Sequence, residues 1–286
     1  MTVINTNVSA TLASNAIARN ERAMSTAMER LSTGKRINSA ADDAAGLAIS
    51  ARMASQVKGL EQASRNAADG ISMVQTIEGA GKEILNILTR MKELATQSAT
   101  GTLNTTDRTA LDTEFDQLKL EVERVAENTK WNTVALMDAA PGLTKDVNIQ
   151  VGDANGGANQ MAISFKSWQP AASTNTGAYG VATFSVLDIG ADAVTAQATM
   201  GSLDTAITTA SSELAKYGAY INRLEYAQDN LLNVAQNTDA SRSRIEDADY
   251  ASETSELAKT QIIAQAGTAM LAQANQIKQT VLALLQ

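Results

Sequence analysis

The amino-acid sequence predicts a mainly α-helical fold. It reads as a long-helix bundle with coiled-coil seams, one small β-hairpin region, and terminal helices that pair with each other. Three observations carry this. Aromatic residues make up only 3% of the 286, with two prolines and much alanine, which suits long helices in contact better than an aromatic globular core. Apolar residues recur at separations of three and four along most of both ends. The period shifts to two only in a short central stretch.

In chain order, residues 8–32 form the first predicted helix, with Val8 and Leu12, then Ile17, Met24, Met28 and Leu31 at separations of seven, four and three, and Ser32-Thr33-Gly34 closing it. A longer helix is expected from Ala44 to Ser98, carrying Val57, Leu60, Ala67, Ile71, Val74, Ile77, Ile84, Leu88 and Met91. At ~1.5 Å per residue it would be roughly 80 Å long, too long for an ordinary globular domain. Gly59, Gly70, Gly79 and Gly81 each weaken it by about 1 kcal/mol relative to alanine, so packing partners must hold it.

Residues 99–106 read as a polar turn, with Thr106 as expected N-cap and Asp107 a favourable first-turn charge. Leu111, Phe115, Leu118, Val122 and Val125 then mark a third helix seam, over 106–128. Val147, Ile149 and Val151 alternate, Gly152 to Gly157 turn, and Met161, Ile163 and Phe165 alternate back: a β-hairpin. Residues 167–200 show only one further strand-like stretch, Ala182 to Ile189. From Ser202, the expected N-cap, Leu203, Ile207, Ala210, Leu214, Tyr217, Ile221, Leu224, Gln228, Leu231 and Ala235 follow strict four-and-three spacing. Such a seam demands a partner along its whole length. The last helix spans about Tyr250 to Leu285, with Ile263, Ala266, Met270, Ala274, Ile277, Val281 and Leu284 as one stripe.

Composition excludes several function classes. With 23 basic and 31 acidic side chains the net charge is −8, which disfavours nucleic acid and anionic membranes. Histidine and cysteine are absent, removing the usual near-neutral base, the nucleophilic thiol and the commonest zinc ligands. No catalytic residues, metal or cofactor are expected. The start, Met1-Thr2-Val3-Ile4-Asn5, lacks the pattern of a cleaved secretory signal, and no apolar run is long enough for membrane insertion. Export, if it occurs, is expected to follow another route.

Short motifs have plain structural explanations. Gly79-Ala80-Gly81-Lys82 has the wrong spacing for a phosphate loop, and Glu83 stands where that loop needs Ser or Thr. Asp153 to Gly157 reads as a hairpin turn rather than a calcium loop, and Asp42-Asp43 as a helix start rather than an acid–base pair. Arg242 to Asp249 reads as a charged linker placed where a hinge would be useful.

The last helix carries only Lys259 and Lys278 as charges beyond Leu257, an aggregation liability unless its stripe is covered by other copies. The expected subunit interface is therefore Val8, Leu12, Met24, Met28, Leu31, Ile263, Met270, Ile277, Val281 and Leu284. The expected division pairs residues 1–42 with 245–286 as a terminal coiled coil, and 43–165 with 201–244 as the bundle with its hairpin.

The chain resembles bacterial flagellins at both ends. Leu31-Ser32-Thr33-Gly34-Lys35-Arg36-Ile37-Asn38-Ser39-Ala40-Ala41-Asp42-Asp43-Ala44-Ala45-Gly46 and residues 59–75 are similar to the family's amino-terminal signature. Ser241-Arg242-Ser243-Arg244-Ile245-Glu246-Asp247-Ala248-Asp249-Tyr250 and residues 265–276 are similar to its carboxy-terminal one. Lys278 and Gln286 depart from some relatives, which carry Pro and Arg there. The resemblance covers roughly residues 1–135 and 200–286. It implies a structural subunit of the extracellular flagellum that polymerises for motility, its terminal helices paired in a helical filament. Residues 166–200 would then be a short variable outer region, making this a short flagellin.

The resemblance further implies as partners other copies of the chain, the flagellar type III export apparatus, a flagellin chaperone, and filament cap and hook-junction proteins. It also implies recognition of the monomer by Toll-like receptor 5, through a patch comprising Arg90, Glu93, Leu94, Gln97 and Glu114, with Arg90 and Leu94 on one helix face by their spacing. An alternative expectation is a cell-surface glycan- or host-binding flagellin homologue acting through the polar residues 166–200, against which counts the scarcity of aromatics there, Trp168, Tyr179 and Phe184 alone.

Overall fold

The computed structural model of the chain describes residues 7–138, 144–169 and 187–283. Helices dominate: α1 Val8–Thr33, α2 Ala44–Ser98, α3 Thr105–Asn128, α4 Ala193–Glu246 and α5 Tyr250–Ala283. Two small antiparallel sheets lie between α3 and α4 in sequence: β1 Lys130–Trp131 with β2 Val134–Ala135, and β3 Thr144–Gln150 with β4 Gln160–Lys166. The chain divides into two compact units, Met1–Val57 with Gln236–Gln286 and Lys58–Ala235.

The larger unit is a helix bundle closed by the longer hairpin. Its core takes Val74, Ile77, Ile84, Leu88 and Met91 from α2, Phe115 and Val122 from α3, Leu203, Tyr217 and Leu224 from α4, and Ile163 and Phe165 from β4. Each such side chain contributes about 1.5–3 kcal/mol on leaving water. The predicted α4 seam from Leu203 to Ala235 is buried or half-buried at every position, as coiled-coil packing requires. Gly70 and Gly81 fit because helix and neighbour approach closely. A Cβ on Gly81 would lie 2.8 Å from Leu214 and 3.3 Å from Trp168, and one on Gly70 3.3 Å from Ile149 and Leu224. The expected hairpin forms, with Val147 opposite Ile163 and Ile149 opposite Met161.

Two helix starts differ from expectation. α3 is capped by Asn104, not Thr106: the Asn104 side chain accepts from the Asp107 N–H at 2.9 Å and Asp107 reciprocates, a capping box. α4 begins at Ala193, well before the expected cap at Ser202, because Asp192 accepts the Thr195 N–H at 2.7 Å and starts the helix earlier. Ser202 therefore sits inside α4, its hydroxyl donating to the Ala198 carbonyl at 3.4 Å. Arg242 and Arg244 likewise belong to the last turns of α4 rather than to a linker, and only Asp247-Ala248-Asp249 separate α4 from α5. Most of the strand-like stretch 182–189 falls outside the described residues, and 187–189 are not strand.

Candidate functional site: the paired terminal helices

In the smaller unit α1 and α5 run antiparallel. The Asn7 side chain donates to the Ala274 carbonyl at 3.3 Å, Asn20 to the Thr260 carbonyl at 2.7 Å, and Arg30 pairs with Glu253 at 3.0 Å, so numbers fall on α5 as they rise on α1. Ala10, Ala13, Ile17, Asn20, Met24, Ala27 and Leu31 form the inner face of α1, all buried or half-buried. Glu253, Leu257, Thr260, Ala264, Gly267, Leu271 and Ala274 form that of α5. Both sets alternate separations of three and four, the spacing of a coiled-coil seam.

The seam is built of small and polar residues as well as apolar ones. A Cβ on Gly267 would stand 2.9 Å from Ile17, so glycine lets the helices approach there. Asn20 is buried at 9% exposure and bonds across the seam, which pins register in the way a single polar core position does in coiled coils.

The other end of the pair is tied by backbone. Gly34 ends α1 in the left-handed region at φ 72, its N–H reaching the Arg30 carbonyl. The Ala248 N–H then donates to the Gly34 carbonyl at 2.9 Å and the Arg36 N–H to the Glu246 carbonyl at 2.7 Å. Lys35 and Arg242 both pair with Glu246, and the Tyr250 hydroxyl donates to the Leu31 carbonyl at 2.8 Å. Asp42 accepts the N–H groups of Ser39 and Asn38, and these bonds hold its carboxyl below the usual carboxylate range. Asp43 accepts the Gly46 N–H at 2.8 Å, so the two aspartates organise the start of α2 as expected.

The predicted interface residues sort into two groups. Met24 and Leu31 are half-buried in the α1–α5 seam. Val8, Leu12, Met28, Ile263 and Met270 remain exposed, Leu12 and Met270 at 71% and 66%. Leu12, Ile17, Ile263, Gly267 and Met270 line an open apolar groove of about 400 Å³. The helix of Ile277 and Val281 is described but their side chains are not, and Leu284 lies outside the described residues.

In the larger unit Arg90 donates to Glu114 at 2.9 and 3.1 Å and to Glu93 at 2.9 Å, joining α2 to α3. Those carboxylates, Glu114 first, raise the guanidinium above its ordinary value. Gln97 is exposed beside them on α2. Leu94 corrects the expected face: it is only 1% exposed and packs in the core, because α2 turns that position inward rather than toward solvent. Of the three aromatic residues in the 166–200 region, Trp168 is buried in the same core, while Tyr179 and Phe184 lie outside the described residues. Among the described residues there is no group of acidic side chains suited to a metal and no helix long and apolar enough to cross a membrane.

An antiparallel pair of terminal helices that leaves Leu12, Met28, Ile263 and Met270 exposed places the chain among long-helix structural proteins whose two ends pair. Residues 4–140 match the bacterial flagellin N-terminal helical region and residues 200–285 the bacterial flagellin C-terminal helical region. The chain is 43% identical to a flagellin of Halalkalibacterium halodurans, over 91% of each chain, and 40% identical to that of Bacillus subtilis, over 99% of each. It resembles the solved structure of a putative flagellar hook-associated protein from Vibrio parahaemolyticus at TM-score 0.56 and 14% identity, covering 72% of this chain and 100% of that one, a likeness of fold alone. The chain belongs to the bacterial flagellin family. It is a structural, non-enzymatic subunit that polymerises into the extracellular flagellar filament and serves motility.

Proposed function

We propose that the outward faces of the α1–α5 pair, within residues 1–42 and 245–286, carry the contacts between subunits. The supporting observation is that Val8, Leu12, Met28, Ile262, Ile263 and Met270 stay exposed although each helix already has a partner within its own chain. Two paired helices can bury one face each; in the filament, neighbouring copies cover the remaining apolar area. Replacing Leu12 and Met270 together by aspartate should abolish filament growth in electron micrographs while circular dichroism stays helical. Normal filaments from that variant would refute the assignment.

Family membership supports the remaining partners: the type III export apparatus, a chaperone, and the cap and hook-junction proteins, acting on the same ends. We also assign monomer recognition by Toll-like receptor 5 to Arg90, Glu93, Gln97 and Glu114, because Arg90 holds both carboxylates on one exposed surface. Leu94 is left out of the test, since truncating a buried leucine costs about 2–5 kcal/mol and would confound it. Arg90→Ala with Glu114→Ala should lower the signalling potency of monomer without altering its melting, as exposed ion pairs contribute little to stability. An unchanged dose response would count against this patch.

A further inference from the structure

Asn155-Gly156 lies in the loop joining β3 to β4, where every residue from Asp153 to Ala158 is exposed. It is the sole Asn-Gly pair in the sequence. Gly156 sits at φ 143 and ψ 151, and nothing stands within 4 Å of where a Cβ would be. Its carbonyl accepts from the Asn159 N–H at 3.0 Å, but its own N–H has no partner among the described residues, and neither does the Asn155 side chain. A backbone N–H that is free, unhindered and next to an asparagine amide is a nucleophile placed beside an acyl group.

We propose that Asn155 is a site of spontaneous intramolecular deamidation, an age mark written into the hairpin loop. The Gly156 nitrogen loses its proton to hydroxide and attacks the Asn155 side-chain carbonyl carbon. The bond from that carbon to Nδ2 breaks and ammonia leaves, closing a five-membered succinimide. Water then opens either imide carbonyl, giving aspartate or the β-linked isoaspartate. Glycine matters because the ring requires the following residue to move freely, and a side chain there would obstruct attack.

The rest of the chain provides the control. Asn38-Ser39 has the next smallest following residue among the described loop asparagines, yet the Ser39 N–H is held by Asp42 at 2.8 Å. Helical asparagines such as Asn66 and Asn230 are followed by residues whose N–H groups belong to helix hydrogen bonds. The loop can absorb the change, since β3 and β4 are paired from Thr144 with Lys166 through Gln150 with Gln160 without help from Asn155.

The experiment incubates the full-length monomer in mildly alkaline buffer and maps its peptides by mass spectrometry with fragmentation that separates aspartate from isoaspartate. The peptide containing Asn155 should gain about one dalton and show both products, faster at higher pH, while Asn38 stays intact. Asn155→Gln should abolish the signal with circular dichroism unchanged. No conversion over a period that converts a short Asn-Gly peptide of the same sequence would overturn the proposal, and so would equal conversion at Asn38.

Discussion

A chain ending at Glu256 should form no filaments, yet keep the folded bundle of residues 58–235. The deletion removes Leu257, Thr260, Ala264, Gly267, Leu271 and Ala274, nearly the whole α5 side of the seam. Helix α1, 26 residues long, would then expose its inner and outer faces together, and an isolated helix is marginal without a packed face. Its helicity should fall as well, so far-UV circular dichroism should lose more than α5 alone supplies. The larger unit retains its own core and should melt cooperatively as before.

A point change isolates the seam from the deletion. Gly267→Val places a branched side chain where even a Cβ would come within 2.9 Å of Ile17, so the helices must separate or shift. Electron microscopy and sedimentation would read both variants, and normal filaments from either would show that the α1–α5 pair is dispensable.

Much of this was legible in the sequence because coiled-coil packing writes itself as period. The four-and-three spacing from Leu203 to Ala235 and the alternation around Val147 and Ile163 placed the bundle seam and the hairpin correctly. The starts of α3 and α4 were harder, since Asn104 and Asp192 are each one of several polar residues able to cap, and only the hydrogen bonds show which does. The turn at Asn132 and Thr133 was missed because both adopt positive φ without the glycine that usually signals it.

The terminal helices show the limit most clearly. Period identified their apolar residues, but it could not separate the faces turned to the same chain from those left outward. The inner α5 face holds Thr260 and Gly267, which no hydrophobicity count selects; it works through close approach at Gly267 and through the buried Asn20 amide of α1, which donates to the Thr260 carbonyl. Leu94 failed for the opposite reason: its four-residue spacing from Arg90 suggested a shared face, but the two straddle the edge between core and solvent.

Trp168→Ala should give the largest loss of stability in the larger unit. Trp168 is fully buried, its indole N–H donates to the Tyr217 hydroxyl at 3.0 Å, and Phe165 packs 5.8 Å from the Tyr217 ring. Removing so large a buried side chain costs about 3–5 kcal/mol. With about 2–4 °C per kcal/mol for a unit of this size, melting should fall by roughly 6–20 °C. Tyr217→Phe should cost about 1–3 kcal/mol, because it takes an acceptor from a buried N–H. Burial also pushes the Tyr217 phenol above its ordinary value. The unfolded chain therefore releases this proton at lower pH than the folded one, so the contribution is complete below about pH 10 and is lost as pH rises beyond it. Tyr217→Phe should flatten that alkaline fall in thermal melts, and an identical pH profile in both proteins would show that Tyr217 does not contribute to it.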